Sequence, residues 1–101
     1  MILVRDIFRI KFGQTKPATD LWKQAIAVNH RLGYGKNSSR LLTDLAGPHY
    51  YTLILETSYD SLAQWEQAGQ AVRKDPEWRS LYQKIIPLTE SGHREILSII
   101  D

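Results

Sequence analysis

Cysteine is absent from the 101 residues. That excludes disulfides, thiolate nucleophiles, iron–sulfur clusters and cysteine zinc sites together. No apolar run approaches the ~20 residues that a bilayer-crossing helix needs. The first stretch, MILVRDIFRIKF, alternates apolar and polar residues, whereas a signal peptide would carry basic residues followed by a solid apolar block. The chain therefore reads as cytoplasmic, with no membrane partner. An excess of one charge is also missing: 13 Lys and Arg stand against 11 Asp and Glu, a formal net charge of +2. They are scattered without a basic run, too little to argue for nucleic acid. His30, His49 and His93 fall on separate segments and form no pair at metal-ligand spacing, so no metal is expected. The GYGKNSS stretch holds a G-x-G-K fragment, but it follows a helical pattern where a phosphate loop follows a strand, and it reads as a turn. There is no internal repeat.

What remains is a chain whose length suits one domain, residues 1–101, with 43% hydrophobic residues and three tryptophans. Residues 2–12 alternate with period two, a strand signal. Ile2, Val4, Asp6, Phe8, Ile10 and Phe12 share one face; Leu3, Arg5, Ile7, Arg9 and Lys11 share the other. Leu21, Trp22, Ala25, Ile26, Val28, Asn29 and Leu32 recur at helical spacing, between Pro17 in a first turn and Gly33 after the end. SSRLLTDLAG and YYTLILETSY read as two strands joined by a short turn, hence antiparallel. Ser61 or Asp60 caps the next helix, with Gln64 as capping-box partner. Its apolar stripe is Leu62, Trp65, Ala68, Gly69 and Val72. Asp75-Pro76 restarts a helix as cap and first position, Pro87 ends it, and SGHREILSIID is the last strand.

The order is βαββαβ, with the second helical segment broken in two. This is the ferredoxin-like, α+β pattern: an antiparallel four-stranded sheet of expected order 4-1-3-2, with helices on one face. Phe8, Ile10 and Phe12 on strand one and Tyr51, Leu53 and Leu55 on strand three are expected to face the helices. The other face carries Leu3, Ile7, Leu42 and Ile54 among Arg5, Arg9, Asp44 and Glu56. That mixture is too apolar for a face meant only for water. Burial against a second copy is favoured over a solvated face, since a two-fold contact can pair basic residues of one copy with acidic residues of the other and can protect open sheet edges.

The closing segment DPEWRSLYQKIIPLTESGHREIL, the IFRIKFG strand and the LILETSYDSLAQWEQ strand-to-helix passage resemble the NIPSNAP family of the dimeric α/β-barrel superfamily. The resemblance implies a homodimer in which two ferredoxin-like sheets form one barrel with the helices outside. The wider superfamily includes antibiotic-biosynthesis monooxygenases, haem-degrading enzymes, isomerases and proteins of no known activity. A pocket in such domains often lies between sheet and helices. Here Trp22, Tyr51, Trp65, Trp78 and Tyr82 are the candidates to line it. Aromatic walls suit a flat, apolar ligand, although each such residue taken alone is more often core. Trp65 and Tyr82 are singled out because their polar tips need partners.

Asp6 interrupts the apolar face of strand one, and a carboxylate there must meet a donor, water or a proton. It could serve as a base or ligand contact, pair with an arginine, or be turned outward by a local irregularity. Asp6, Trp65 and Tyr82 are the candidate catalytic residues. Haem-degrading relatives resemble one another in an Asn on strand one, a Trp on the helix after strand three and a His on the next helix. Trp65 supplies one of the three, and residues 76–87 hold no His. No cofactor is therefore expected. A cofactor-independent monooxygenase acting on a phenolic or quinol-like substrate remains an alternative, as does a structural or assembly module without catalysis. RNA-recognition domains share the topology, but their K/R-G-F/Y-G/A-F-V pattern is absent from HYYTLILETSY, and no nucleic-acid partner is expected.

Overall fold

The computed structural model describes residues 1–101. Strand β1 (Ile2–Ile10) leads into α1 (Thr15–Arg31), then β2 (Arg40–Thr43) and β3 (Thr52–Tyr59), then α2 (Leu62–Lys74) and α3 (Pro76–Ile85). A 3-10 turn over Ile86–Leu88 precedes β4 (Thr89–Ser98). The strands form one antiparallel sheet in the order β2-β3-β1-β4, the 4-1-3-2 arrangement read in reverse. The fold is ferredoxin-like, as expected.

Local chemistry explains the helix boundaries. Ser61 Oγ accepts from the Gln64 N–H at 3.1 Å, while Gln64 Oε1 accepts from the Asp60 N–H at 2.7 Å, so both candidate cap residues take part in the start of α2. Asp75 ends α2 and caps α3, accepting from the Trp78 N–H at 3.0 Å. Its other oxygen takes Arg31 at 2.7 Å, which ties the α2–α3 junction to the end of α1. These two bonds hold the Asp75 carboxyl below its usual range, Arg31 first and the Trp78 N–H second. Gly35 adopts φ +70°, and a Cβ there would meet Ser39 Oγ at 2.8 Å and Thr57 Cγ2 at 2.9 Å. Glycine thus lets the α1–β2 link press against β3.

The core lies between one sheet face and the helices. Ile10 and Leu53 from the sheet meet Trp22, Ala25 and Val28 of α1 and Leu81 and Ile85 of α3. A smaller cluster of Val4, Tyr59 and Ala68 joins the sheet to α2. At one end of this layer one aromatic expectation fails and another is met from outside its strand. Phe12 is 83% exposed, because β1 stops at Ile10 after a register shift against β4. Tyr51 precedes β3 in the left-handed region, φ +57°, outside the strand alternation of Leu53 and Leu55, yet it still packs, partly buried, against the core. The two rings pack on each other instead, centroids 4.8 Å apart.

No helix covers the opposite face. There the register sets Arg40, Glu56, Arg5 and Glu95 in one row across all four strands. Arg40 and Arg5 each donate to Glu56, at 2.7 and 2.8 Å, and Arg5 also donates to Glu95 at 2.7 Å. The charges of this row are therefore matched inside one chain and do not wait for a second copy. Burial alone would push the Glu56 carboxyl up; the hydrogen bonds from Arg40 and Arg5 outweigh it and hold the group below its ordinary value. The adjacent row is apolar: Leu42, Ile54 and Ile7 side by side, ending at His93.

Candidate functional site

Between the sheet and the three helices lies a cleft of about 480 Å³. All three tryptophans reach it, one from each helix: Trp22 from α1, Trp65 from α2 and Trp78 from α3. Trp22 stacks on Phe8 of β1 with centroids 5.0 Å apart and 18° between planes. Trp78 stacks on Tyr82, one helical turn further on, at 4.9 Å and 11°. The walls are thus two preformed aromatic stacks, with Trp65 facing a third kind of partner.

That partner is Arg94 of β4, whose guanidinium lies 5.2 Å from the centre of the Trp65 ring. Arg94 also donates from Nε to Asp6 Oδ1 at 2.5 Å. Asp6 and Arg94 are directly opposed in the β1–β4 register. The structural reading of Asp6 therefore holds: a guanidinium compensates the carboxylate that breaks the apolar face. Asp6 and Trp65 are brought together through Arg94. Tyr82, 42% exposed, lines the same cleft but stacks on Trp78 rather than on either of them.

Tyr51 does not belong to this site. It lines a separate recess with Phe12 and Tyr50 at the end of the sheet, for the backbone reason given above. Of the five aromatic candidates, Trp22, Trp65, Trp78 and Tyr82 converge and Tyr51 does not.

Polar groups gather deeper along β3. Asn29 Nδ2 approaches the Tyr59 hydroxyl at 3.5 Å, and Ser39 and Thr57 hydroxyls share a hydrogen bond at 3.1 Å. Burial raises the Tyr59 phenol above its ordinary value; the Asn29 bond opposes this and the nearby Asp6 charge adds to it. The phenol stays protonated and can donate. A second recess of about 450 Å³ runs along β4 and shares Asp6, Phe8, Trp22, Tyr82 and Arg94 with the main cleft. The Asp6–Arg94 pair thus stands between the two. No three His, Asp or Glu side chains converge in the way a metal ion requires.

Arg94 and Tyr59 escape a reading by local pattern, and Asn29 is seen only as a member of the α1 stripe. Arg94 could be found through the antiparallel pairing of first and last strands, which sets it beside Asp6.

This arrangement can be set against known proteins. The NIPSNAP family model matches residues 6–101. The chain belongs to the NIPSNAP family. Among solved structures, a NIPSNAP family protein from Agrobacterium tumefaciens is similar with a TM-score of 0.86 and 23% identity, covering 99% of this chain and 93% of that one. An uncharacterized NIPSNAP domain protein from Burkholderia xenovorans gives 0.81 at 16% identity, covering 98% and 94%. A putative antibiotic biosynthesis monooxygenase from Nitrosomonas europaea gives 0.75 at 10% identity over the whole of both chains. At these identities the similarities establish the NIPSNAP fold and leave the chemistry to this chain's own residues. No curated protein matches the sequence. No helix is long and apolar enough to cross a membrane.

Proposed function

We propose that this NIPSNAP protein is a homodimer whose two open sheet faces pack together, and that each copy binds a small planar apolar or aromatic molecule between its sheet and its helices. The observation that carries the ligand reading is the convergence of Trp22, Trp65 and Trp78 on one cleft. A volume of about 480 Å³ falls within the range of small-molecule sites, and such sites combine apolar walls with a few convergent polar groups. The dimer reading is supported by the apolar row Leu42–Ile54–Ile7 on a face that no helix covers.

Because every tryptophan of the chain borders the cleft, tryptophan fluorescence reports on it. Titration with a flavonoid or quinol should quench or shift the emission, and Trp65→Phe should remove part of that response. A flat signal across flat aromatic compounds would instead support an assembly module. Light scattering at micromolar concentration should give twice the chain mass; a clean monomer removes the dimer.

A second reading, cofactor-independent monooxygenation of a phenol or quinol, is favoured by the fold shared with antibiotic biosynthesis monooxygenases. In that chemistry the substrate supplies the electrons for oxygen. Its demand on this site is a base, and Asp6 is held by Arg94, so ligand binding without catalysis is the better supported of the two. Oxygen uptake with a quinol, compared among the parent, Asp6→Ala and Trp65→Phe, decides it: equal rates dismiss these residues as its agents.

A further inference from the structure

Glycine is the poorest helix former after proline, yet Gly69 sits in the interior of α2 and on the wall of the cleft. The space its missing side chain leaves is filled. A Cβ there would meet Nη1 of Arg73 at 2.9 Å and Cζ at 3.6 Å, so the guanidinium folds back one turn and lies against the bare helix backbone. Arg73 itself lines the cleft. The arginines bound to carboxylates in this protein are Arg5, Arg31, Arg40 and Arg94; Arg73 stands outside all of these pairs. Arg94 is already matched by Asp6, so Arg73 is the cleft's guanidinium whose charge is free for a ligand. A second donor is also unmatched: the indole N–H of Trp22, a residue only 6% exposed on the same cleft, has no acceptor. Glu66 carries the opposing charge of this wall. It lies seven residues before Arg73 on α2, about 10 Å along the helix axis, which gives the wall an anionic and a cationic end.

We infer that Gly69 and Arg73 form an anion subsite at one end of the aromatic cleft, and that the cleft's ligand is a planar aromatic acid. This inference rests on the ligand-binding reading above. The rings lie between the aromatic walls, the carboxylate meets the Arg73 guanidinium through charge-assisted hydrogen bonds, and Glu66 repels the reversed orientation.

The test is calorimetric titration with 2-naphthoate and with its neutral counterpart 2-naphthamide. The acid should bind at least tenfold more tightly than the amide, with a preference that falls as salt rises. Arg73→Gln should abolish the preference by weakening the acid more than the amide. Gly69→Ala should act on affinity and stability in opposite senses: the new methyl displaces the guanidinium and weakens the acid, while the melting temperature stays level or rises because alanine is the better helix former. Equal binding of acid and amide to the parent overturns the anion subsite and leaves the aromatic cleft standing. Binding of neither compound overturns the cleft and the subsite together. A preference that survives Arg73→Gln but is lost in Arg94→Gln moves the anion to Arg94 and refutes the assignment.

Discussion

The two faces of one sheet solve the same problem differently. On the covered face, Asp6 pairs with Arg94, Thr57 adds a buried hydroxyl, and most other positions supply apolar and aromatic surface to the core and to the cleft. On the open face, Arg40, Glu56, Arg5 and Glu95 form a matched row beside an apolar one. The lesson is that burial of a side chain and coverage of a face are separate matters. Glu56 is only 5% exposed with no helix above it, because the flanking arginine side chains themselves shield it.

The comparison is broken most sharply at two neighbouring residues. Leu53 points to the helices and is 1% exposed; Leu53→Ala should cost about 3 kcal/mol of unfolding free energy, measured by urea denaturation. Ile54, one position on, points to the open face. In an isolated chain Ile54→Ala should cost only about 1 kcal/mol. If a second copy covers that face, the parent's melting temperature will rise with protein concentration and Ile54→Ala will weaken that dependence.

The ion row comes next. Glu56→Gln should cost about 2 kcal/mol, since it leaves two arginines with a weaker acceptor. Its effect has a defined direction in pH. The folded Glu56 and Asp75 carboxyls sit below their ordinary values. Their stabilising contributions are therefore complete above the ordinary carboxylate range and are lost as pH falls through the depressed folded values. Glu56→Gln should flatten the acid side of the stability profile, read as melting temperature against pH. An unchanged acid slope would show that the row contributes nothing through Glu56.

Smaller effects follow. Ser61→Ala should remove about 1 kcal/mol by deleting the Gln64 N–H acceptor at the start of α2. Phe12→Ser should change stability by less than about 0.5 kcal/mol, because that ring is already in solvent. A loss near that of Leu53→Ala would restore Phe12 to the core and contradict the end of β1.

These last two residues also mark what the sequence made legible. Signals carried within a few residues were read correctly: the Ser61–Gln64 cap, the Asp75-Pro76 restart, and the alternation that placed Val4, Ile10 and Leu53 inside. The strand order followed from them. Phe12 was misplaced because alternation says nothing about where a strand stops; Tyr51 reaches the core from outside its strand, where a left-handed residue turns the pattern off. In the cleft, Trp22, Trp65, Trp78 and Tyr82 were anticipated from the pocket that the family resemblance implies. Arg94, Asn29 and Tyr59 were not, since each acts across elements far apart in the chain, and Arg73 was not, although its neighbour Gly69 lies one turn away on the same helix. The guanidinium at Gly69 was hidden for a further reason: a glycine in a helical stripe looks like a small packing residue, and only coordinates reveal that something occupies its space.

The pairing of β1 with β4 joins residue 2 to residue 98, and the Ile99 N–H donates to the Met1 carbonyl at 3.0 Å. During synthesis β1 leaves the ribosome first and β4 last. Until that moment one side of the central strand has no neighbour and Asp6 no counter-ion. The nascent chain must carry a bare hydrogen-bonding edge until β4 emerges, and a chaperone that shields extended segments would be of most use to it then.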